Sequence, residues 1–278
     1  MNVLFLHPPM YPKSKNYGII PMGIIGLMNL LKEDGHSVLG INVPLEVSIN
    51  SGFDLVRDMK TCDFDIILID LHWYVHSYGS LWVASVCKKI NPNCFVCLGG
   101  FTASFFDMEI LSNYPFIDFI IRGEAEIALP LLLNKLGKFK KDFKNIPNLT
   151  FRKNGKIQQN SIKCEITEDQ FNSLNFVDVG WLRNFDKYFS TDSKGYNFLL
   201  SPYFYLEVGR GCPYSCSICG GTTESYNKIC ARRLPIYRSP RRIAQDISFL
   251  REKGIKCVAF SHDLFTTKSQ VFISLTKS

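Results

Sequence analysis

The sequence predicts an α/β protein in which a doubly wound parallel sheet is followed by a shorter β-loop-α-β unit. Five apolar runs of strand length recur in the first half of the chain, and segments with the spacing of amphipathic helices separate them. The 278 residues, of which 46% are hydrophobic and 21% charged, are enough for roughly two domains with buried cores. The sequence contains no internal repeat that would favour a solenoid or a propeller.

The first unit is predicted over residues 1–137, with strands at residues 3–6, 37–41, 65–69, 94–98 and 116–121. Its first helix begins near Pro21 and ends at Gly35, because proline suits a first helical turn and glycine a C-terminal cap. Later helices are predicted over residues 78–90, 104–111 and 126–136.

Residues 138–200 are predicted to connect the two units and to contain a hairpin, since Asn154 and Gly155 form a turn dipeptide between two short strand-like runs. Residues 201–278 form the second unit. A strand at 203–208 is followed by a loop, by a helix over 239–253 and by a strand at 257–261. Ser239 and Pro240 are typical of a helix start.

The composition excludes several classes of protein. The net charge of +7 is spread along the chain, so nucleic acid is not an expected partner. The most basic stretch, residues 232–242, is interpreted as a solvated loop, with neutralisation of an acidic substrate as the alternative. No apolar run reaches the roughly 18 to 20 residues of a membrane span, and the N-terminus lacks signal-peptide features. We therefore expect a cytoplasmic protein whose ten cysteines are reduced.

Three cysteines form the sharpest motif. Cys212, Cys216 and Cys219 lie in a CxxxCxxC arrangement directly after a predicted strand, within a glycine-rich loop. Thiolates this close can bind one metal centre, and soft sulfur ligands favour an iron–sulfur cluster or zinc. Zinc normally needs a fourth ligand, for which Cys230 and His262 are candidates, and buried unliganded thiols are the third reading. The remaining cysteines are assigned to packing: Cys62, Cys87, Cys94, Cys97, Cys164 and Cys257.

The CxxxCxxC loop resembles the signature of radical S-adenosylmethionine (SAM) enzymes. The resemblance implies that Cys212, Cys216 and Cys219 hold a [4Fe-4S] cluster, whose open iron binds SAM. It further implies reductive cleavage of SAM to methionine and a 5′-deoxyadenosyl radical. Ile218 stands where the family often has an aromatic residue near the adenine, and His262 and Asp263 follow the second strand of the barrel, where contacts to SAM begin.

The first unit resembles the Rossmann-like cobalamin-binding domains that precede many radical SAM barrels, through the segments LHPPMYP (6–12), LGGFT (98–102) and RGEAE (122–126). The resemblance suggests cobalamin contacts from residues that follow the fourth and fifth strands, where open α/β sheets bind ligands: Gly99, Gly100, Thr102, Gly123 and Glu124. The alternative is that these glycines only turn the chain. The DxHxxG motif of many cobalamin proteins is absent, and His72, beside Trp73, is interpreted as a packed residue.

A radical SAM barrel needs on the order of 200 residues, whereas 278 − 200 = 78 follow the connecting segment. The sequence therefore predicts an incomplete (β/α) barrel, as in a fragment, a truncated product or one part of a split enzyme. The expected partners are an electron donor such as flavodoxin or ferredoxin and a second chain that completes the barrel. The expected reaction is methylation, cyclisation or rearrangement of an unknown substrate. The alternatives are a non-catalytic protein that binds cobalamin or a partner, and a zinc-binding interaction module.

Overall fold

The computed structural model describes residues 1–16, 18–138, 142–163, 166–189 and 202–261. Its main sheet has seven strands in the order β2-β1-β3-β4-β5-β6-β7. The first five are parallel, as predicted, and the last two are antiparallel. The strands are β1 Asn2–His7, β2 Ser37–Asn42, β3 Ile66–Asp70, β4 Phe95–Gly99, β5 Phe119–Ile121, β6 Leu149–Lys153 and β7 Lys156–Gln159.

The helices flank this sheet and continue into the second unit. They are α1 Met22–Glu33, α2 Val43–Ile49, α3 Leu55–Met59, α4 Ser77–Ile90, α5 Phe101–Phe105, α6 Asp107–Asn113, α7 Ala128–Gly137, α8 Glu168–Ser173, α9 Phe185–Tyr188, α10 Thr223–Cys230 and α11 Pro240–Glu252. Gly35 ends α1 as predicted, with φ +83° and its N–H donating to the Lys32 carbonyl. The single helix predicted over 104–111 is wrong, because the chain turns at Phe106 between α5 and α6.

The central strands are apolar because both faces of the sheet are covered. All five residues of β3 are buried. One face packs against α1 and α7, and that apolar cluster continues into the second unit, where it includes Phe204 and Leu250. The opposite face packs against α4 and contains Cys87 and Cys94. Burial raises the pKa of the Cys94 thiol to about 11, as expected for a packed, protonated cysteine.

Cys97, on β4, is likewise buried, and burial raises the pKa of its thiol to about 12. Cys87 is buried, whereas Cys62 and Cys257 are half-buried, so all five described cysteines of this group pack within the fold. Cys164 lies outside the described residues.

The hairpin of the connecting segment belongs to the first sheet. Asn154 and Gly155 form the turn with φ values of +51° and +75°, and β6 pairs antiparallel with β5. The Asp107 carboxylate accepts hydrogen bonds from Thr150 and, at 2.8 Å, from Gln159. The sequence predicts this hairpin but not its position at the edge of the first sheet, because β5, the strand with which β6 pairs, lies about thirty residues earlier in the chain.

The second unit has the predicted strand, helix and strand, but the predicted loop between the first strand and the helix also contains α10 and two short strands. Its strands are β8 Tyr203–Leu206, β9 Gly209–Arg210, β10 Ile236–Tyr237 and β11 Cys257–Phe260. β8 pairs parallel with β11 across α11, and β9 pairs antiparallel with β10. Ser239 caps α11, accepting a hydrogen bond from the Arg242 N–H at 3.3 Å. Among the described helices, none is long and apolar enough to cross a membrane.

Candidate functional site

A cavity of 310 Å³ lies at the carboxyl ends of the parallel strands and is lined by both units. The first unit contributes Asp70 and Gly99 from strand ends, and the second contributes Arg210, Tyr226 and Ser261. Its volume is at the lower end of the range for small-molecule sites. Open α/β sheets bind ligands at this edge, so the cavity is the candidate site.

The cysteine loop of the second unit begins directly after β9. Gly211 turns the chain with φ +79° in front of Cys212, which is half-buried, whereas Cys216 and Cys219 are exposed. The Cys219 N–H donates to the Cys216 carbonyl at 3.2 Å, and the Gly221 N–H donates to Cys219 Sγ at 3.4 Å. An amide donor on a ligand sulfur suits an iron–sulfur cluster, whose potential such hydrogen bonds tune. The loop therefore fits the group that its motif implies.

Ile218, which the resemblance places near the adenine of SAM, lies on the same loop and is 98% exposed. Its neighbours on the loop are also at the surface, including Tyr214. His262 and Asp263, the predicted contacts to SAM, lie outside the described residues. The last described residue before them, Ser261, lines the cavity and accepts a hydrogen bond from the Val208 N–H at 3.0 Å.

The loop after β4 has two kinds of glycine. Gly99 lines the cavity and has room, because a Cβ placed there would meet its nearest atom, the Ile121 carbonyl oxygen, at 3.7 Å. Gly100 has φ +104° and packs against the backbone of His72. The Thr102 hydroxyl donates to the His72 carbonyl at 2.9 Å. Gly100 and Thr102 thus fix the loop to its neighbour, and their contact with a ligand stays a prediction.

Gly100→Ala is expected to destabilise the protein by about 1 to 3 kcal/mol, since it combines a disfavoured φ with a Cβ placed 2.7 Å from His72 Cα. The matched control is Gly35→Ala, which has a similar positive φ of +83° but no atom within 4 Å of the added Cβ. Urea denaturation of both variants measures the difference. Equal losses would mean that backbone conformation alone, and not the contact with His72, requires glycine at position 100.

The RGEAE loop after β5 binds the second unit. Glu124 is buried, and its carboxylate accepts two hydrogen bonds from Arg232, at 2.6 and 2.8 Å, and one from the Ile166 N–H at 2.8 Å. Gly123 has φ +66° and packs against the backbone at Cys230. The predicted cobalamin residues Gly123 and Glu124 therefore line the cavity while joining the two units.

A second interdomain ion pair lies beside the first. Arg210 contacts Glu126 at 2.6 Å and Glu207 at 3.4 Å, and all three side chains are buried. Burial lowers the pKa of Arg210, but the neighbouring glutamates, Glu126 foremost, raise it above its ordinary value. Because Arg210 precedes Gly211 and Cys212, this pair fixes the base of the cysteine loop against the first unit. In the sequence, Arg210 and Glu126 lie in the segments GRGC (209–212) and RGEAE (122–126). Because these segments are far apart in the chain, local patterns do not predict that the two residues form an ion pair.

Aromatic side chains close one side of the cavity. His72 stacks on Phe101 with ring centroids 4.9 Å apart, and Phe101 meets the edge of Tyr226 from the second unit at 5.1 Å. Burial lowers the pKa of His72, which favours the neutral imidazole. The interpretation of His72 as a packed residue agrees with these contacts.

The interpretation of residues 232–242 as a solvated loop is wrong for two of its arginines. Arg232 forms the ion pair with Glu124, and Arg238 is fully buried, contacting Asp246 at 2.6 Å and the Phe176 ring at 4.8 Å. Arg233 and Arg241 are exposed, as expected of a solvated stretch. The local charge pattern is misleading here because the acidic partner of Arg232 is 108 residues away.

Comparison with known proteins identifies the first unit. Residues 16–133 match the model of the B12 binding domain family. The first unit is therefore similar to this family over nearly its whole length, and it is called the B12-binding domain below. The chain is 27% identical over 92% of its length to an uncharacterized methyltransferase of Pyrococcus horikoshii, covering 51% of that relative. It is 25% identical, again over 92% of its length, to the hopanoid C-3 methylase of Methylococcus capsulatus, covering 45% of it.

The fold of the whole chain has a solved counterpart. The cobalamin-dependent S-adenosylmethionine radical enzyme OxsB, solved with aqua-cobalamin and S-adenosylmethionine bound, superposes with a TM-score of 0.66 at 14% identity, covering 99% of this chain and 36% of that one. The predicted resemblance is confirmed for the B12-binding unit by the family match and, for the chain as a whole, at the level of the fold. The chain spans about half the length of the curated relatives it matches.

Proposed function

We propose that this chain supplies the cobalamin-binding domain and the cluster-binding start of the barrel of a cobalamin-dependent radical SAM enzyme. One observation carries the proposal: the strand that leads into the CxxxCxxC loop lines the same cavity as the carboxyl edge of the B12-binding domain. Two cofactors that act on one substrate must come close to each other, and a cavity lined both by the first unit and by the strand before the cysteine loop supports this proposal.

In this proposal, Cys212, Cys216 and Cys219 hold a [4Fe-4S] cluster, and residues at the carboxyl ends of β4 and β5 face cobalamin. The bound cofactors supply one-electron reductive cleavage of SAM together with the group chemistry of the corrin. The protein's own part is geometric. Arg210 and Glu126 hold the base of the cysteine loop, while the stack of His72, Phe101 and Tyr226 excludes water from one side of the cavity.

The proposed reaction class is methylation, cyclisation or rearrangement of an organic substrate. The names of two relatives, a methyltransferase and a hopanoid C-3 methylase, favour methylation. We further propose a flavodoxin or ferredoxin as the electron donor and a chain segment or second chain that supplies the other barrel strands. A cytoplasmic location suits this function, because a reducing compartment keeps the cysteine thiols available for the cluster.

The test is anaerobic reconstitution of the chain with iron, sulfide and cobalamin, followed by a dithionite-driven assay for 5′-deoxyadenosine. The proposal expects stoichiometric cobalamin and about four irons per chain. Cleavage of SAM by the chain, or only after addition of the other barrel strands, supports it. Bound zinc with neither iron nor sulfide, or no retention of cobalamin, would overturn it.

A further inference from the structure

Three buried side chains converge where the first and third strands of the sheet end. His7 is the last residue of β1, Asp70 is the last residue of β3, and His76 ends the short 3-10 turn Tyr74–His76 in front of α4. His7 Nδ1 lies 2.9 Å from Asp70 Oδ1, and the rings of His7 and His76 meet edge to face at 5.1 Å. One ligand atom of each residue lies within 4.8 Å of the other two.

One oxygen of the buried Asp70 carboxylate lacks a partner among the described residues. Asp70 is 1% exposed, and its Oδ2 atom has no hydrogen-bond partner among the described residues. The oxygens of buried carboxylates are usually hydrogen-bonded, paired with a cationic group or bound to a metal ion. In the described part of the chain, the one ion-pair contact of Asp70 is with His7, which uses Oδ1. A metal ion would take the second oxygen.

The donor set is that of a transition metal. Two imidazole nitrogens and one carboxylate oxygen bind zinc in several enzymes and non-haem iron(II) in others, and both leave further positions open. Calcium and magnesium prefer oxygen ligands throughout. Asp70 also lines the central cavity, so an ion held here would border that space.

The surrounding backbone holds the three residues in place. The sheet order β2-β1-β3 makes the junction of β1 and β3 the point where the strand order reverses, and ligands of such sheets bind at this position. The Pro9 carbonyl packs directly on Gly79 of α4, where a Cβ would lie 1.6 Å from its oxygen. The Ser80 hydroxyl donates to the Asp70 carbonyl at 3.2 Å. These contacts hold the segment after His7 against the start of α4, next to His76.

We propose that His7, Asp70 and His76 bind one divalent transition-metal ion, at a site separate from the cysteine loop. The fold of the first unit alone brings one ligand atom of each residue within 4.8 Å of the other two. Binding there requires neither the iron–sulfur cluster nor cobalamin, so it can be measured in a protein that lacks both.

The experiment uses the full chain with Cys212, Cys216 and Cys219 all replaced by alanine, which removes the thiolate site. This parent is titrated with Co²⁺, followed by visible absorption, and then with Zn²⁺ in competition. The proposal expects one equivalent of Co²⁺ with a spectrum of nitrogen and oxygen ligands. His76→Gln and Asp70→Asn should each weaken binding by more than about tenfold. His36→Gln, which changes a half-exposed histidine at the end of α1, is the matched control and should bind like the parent.

Folding is followed by thermal unfolding monitored by circular dichroism. Zinc should raise the unfolding temperature of the parent and of His36→Gln, but not that of His76→Gln. If His76→Gln does not fold, His76→Cys decides, because a thiolate at this position should add a sulfur-to-cobalt charge-transfer band. A parent that binds no Co²⁺, a His76→Gln variant that binds as tightly as the parent, or a His76→Cys variant without the band would overturn the proposal.

Discussion

Replacing Cys216 with alanine is expected to remove the iron–sulfur cluster. The parent should hold about four irons and four sulfides per chain after anaerobic reconstitution, whereas the variant should hold close to none. Cys216 is an exposed thiol of the CxxxCxxC loop, and the loss of one of three ligands leaves too few sulfurs to retain the cluster. Under the proposed function, any SAM cleavage that the parent supports should disappear with it. Iron and sulfide analysis, together with chromatographic detection of 5′-deoxyadenosine, measures both effects.

Cys62→Ala is the control for this experiment. Cys62 is a free thiol like Cys216, but it is half-buried and lies in the B12-binding domain, where it contacts Arg183 at 3.7 Å. This variant should keep the iron content of the parent. Full iron in Cys216→Ala would contradict the assignment of the cysteine loop, and equal losses in both variants would show a general effect of lost thiols.

Glu124→Gln is expected to lower the free energy of unfolding by about 3 to 5 kcal/mol. The substitution keeps the size of the side chain but leaves the buried guanidinium of Arg232 without its counter-charge. Because this pair joins the B12-binding domain to the second unit, the loss should also loosen the two units from each other. Urea denaturation measures the first effect, and limited proteolysis between the units measures the second.

The exposed pair of Lys32 and Asp178, 3.4 Å apart, provides the comparison. Asp178→Asn should cost less than about 1 kcal/mol, since solvent screens this pair. In the double variant Glu124→Gln with Arg232→Met, the loss should be smaller than the sum of the two single losses, because no charge is left buried alone. Additive losses would show that the ion pair does not couple the two units.

The sequence predicts the strands and helix ends that are determined by residues close to one another in the chain. The strands at β1 to β4 follow from continuous apolar runs, the end of α1 follows from Gly35, and the start of α11 follows from Ser239 and Pro240. The cysteine loop follows from spacing alone. In each case the residues that determine the structure lie within a few positions of one another, so a local pattern is enough.

Features that depend on distant partners could not be predicted. Arg232 and Arg238 belong to a basic stretch, yet tertiary structure buries both against acidic residues. The sequence suggests Glu124 as a cofactor contact because it follows the fifth strand, whereas its ion pair with Arg232 follows only from the packing of the two units. His7 and His76 are 69 positions apart, and the crossover from β1 to β3 brings them together.

The antiparallel hairpin determines where the B12-binding domain can be cut for expression. β5 has three residues and is hydrogen-bonded to β4 on one side and to β6 on the other, with Phe119 opposite Phe151. A piece that ends at residue 137, where the crossover pattern stops, would expose β5 as an unprotected edge and should self-associate. A piece that extends to residue 163 keeps β5 paired with β6, so it should self-associate less through this edge.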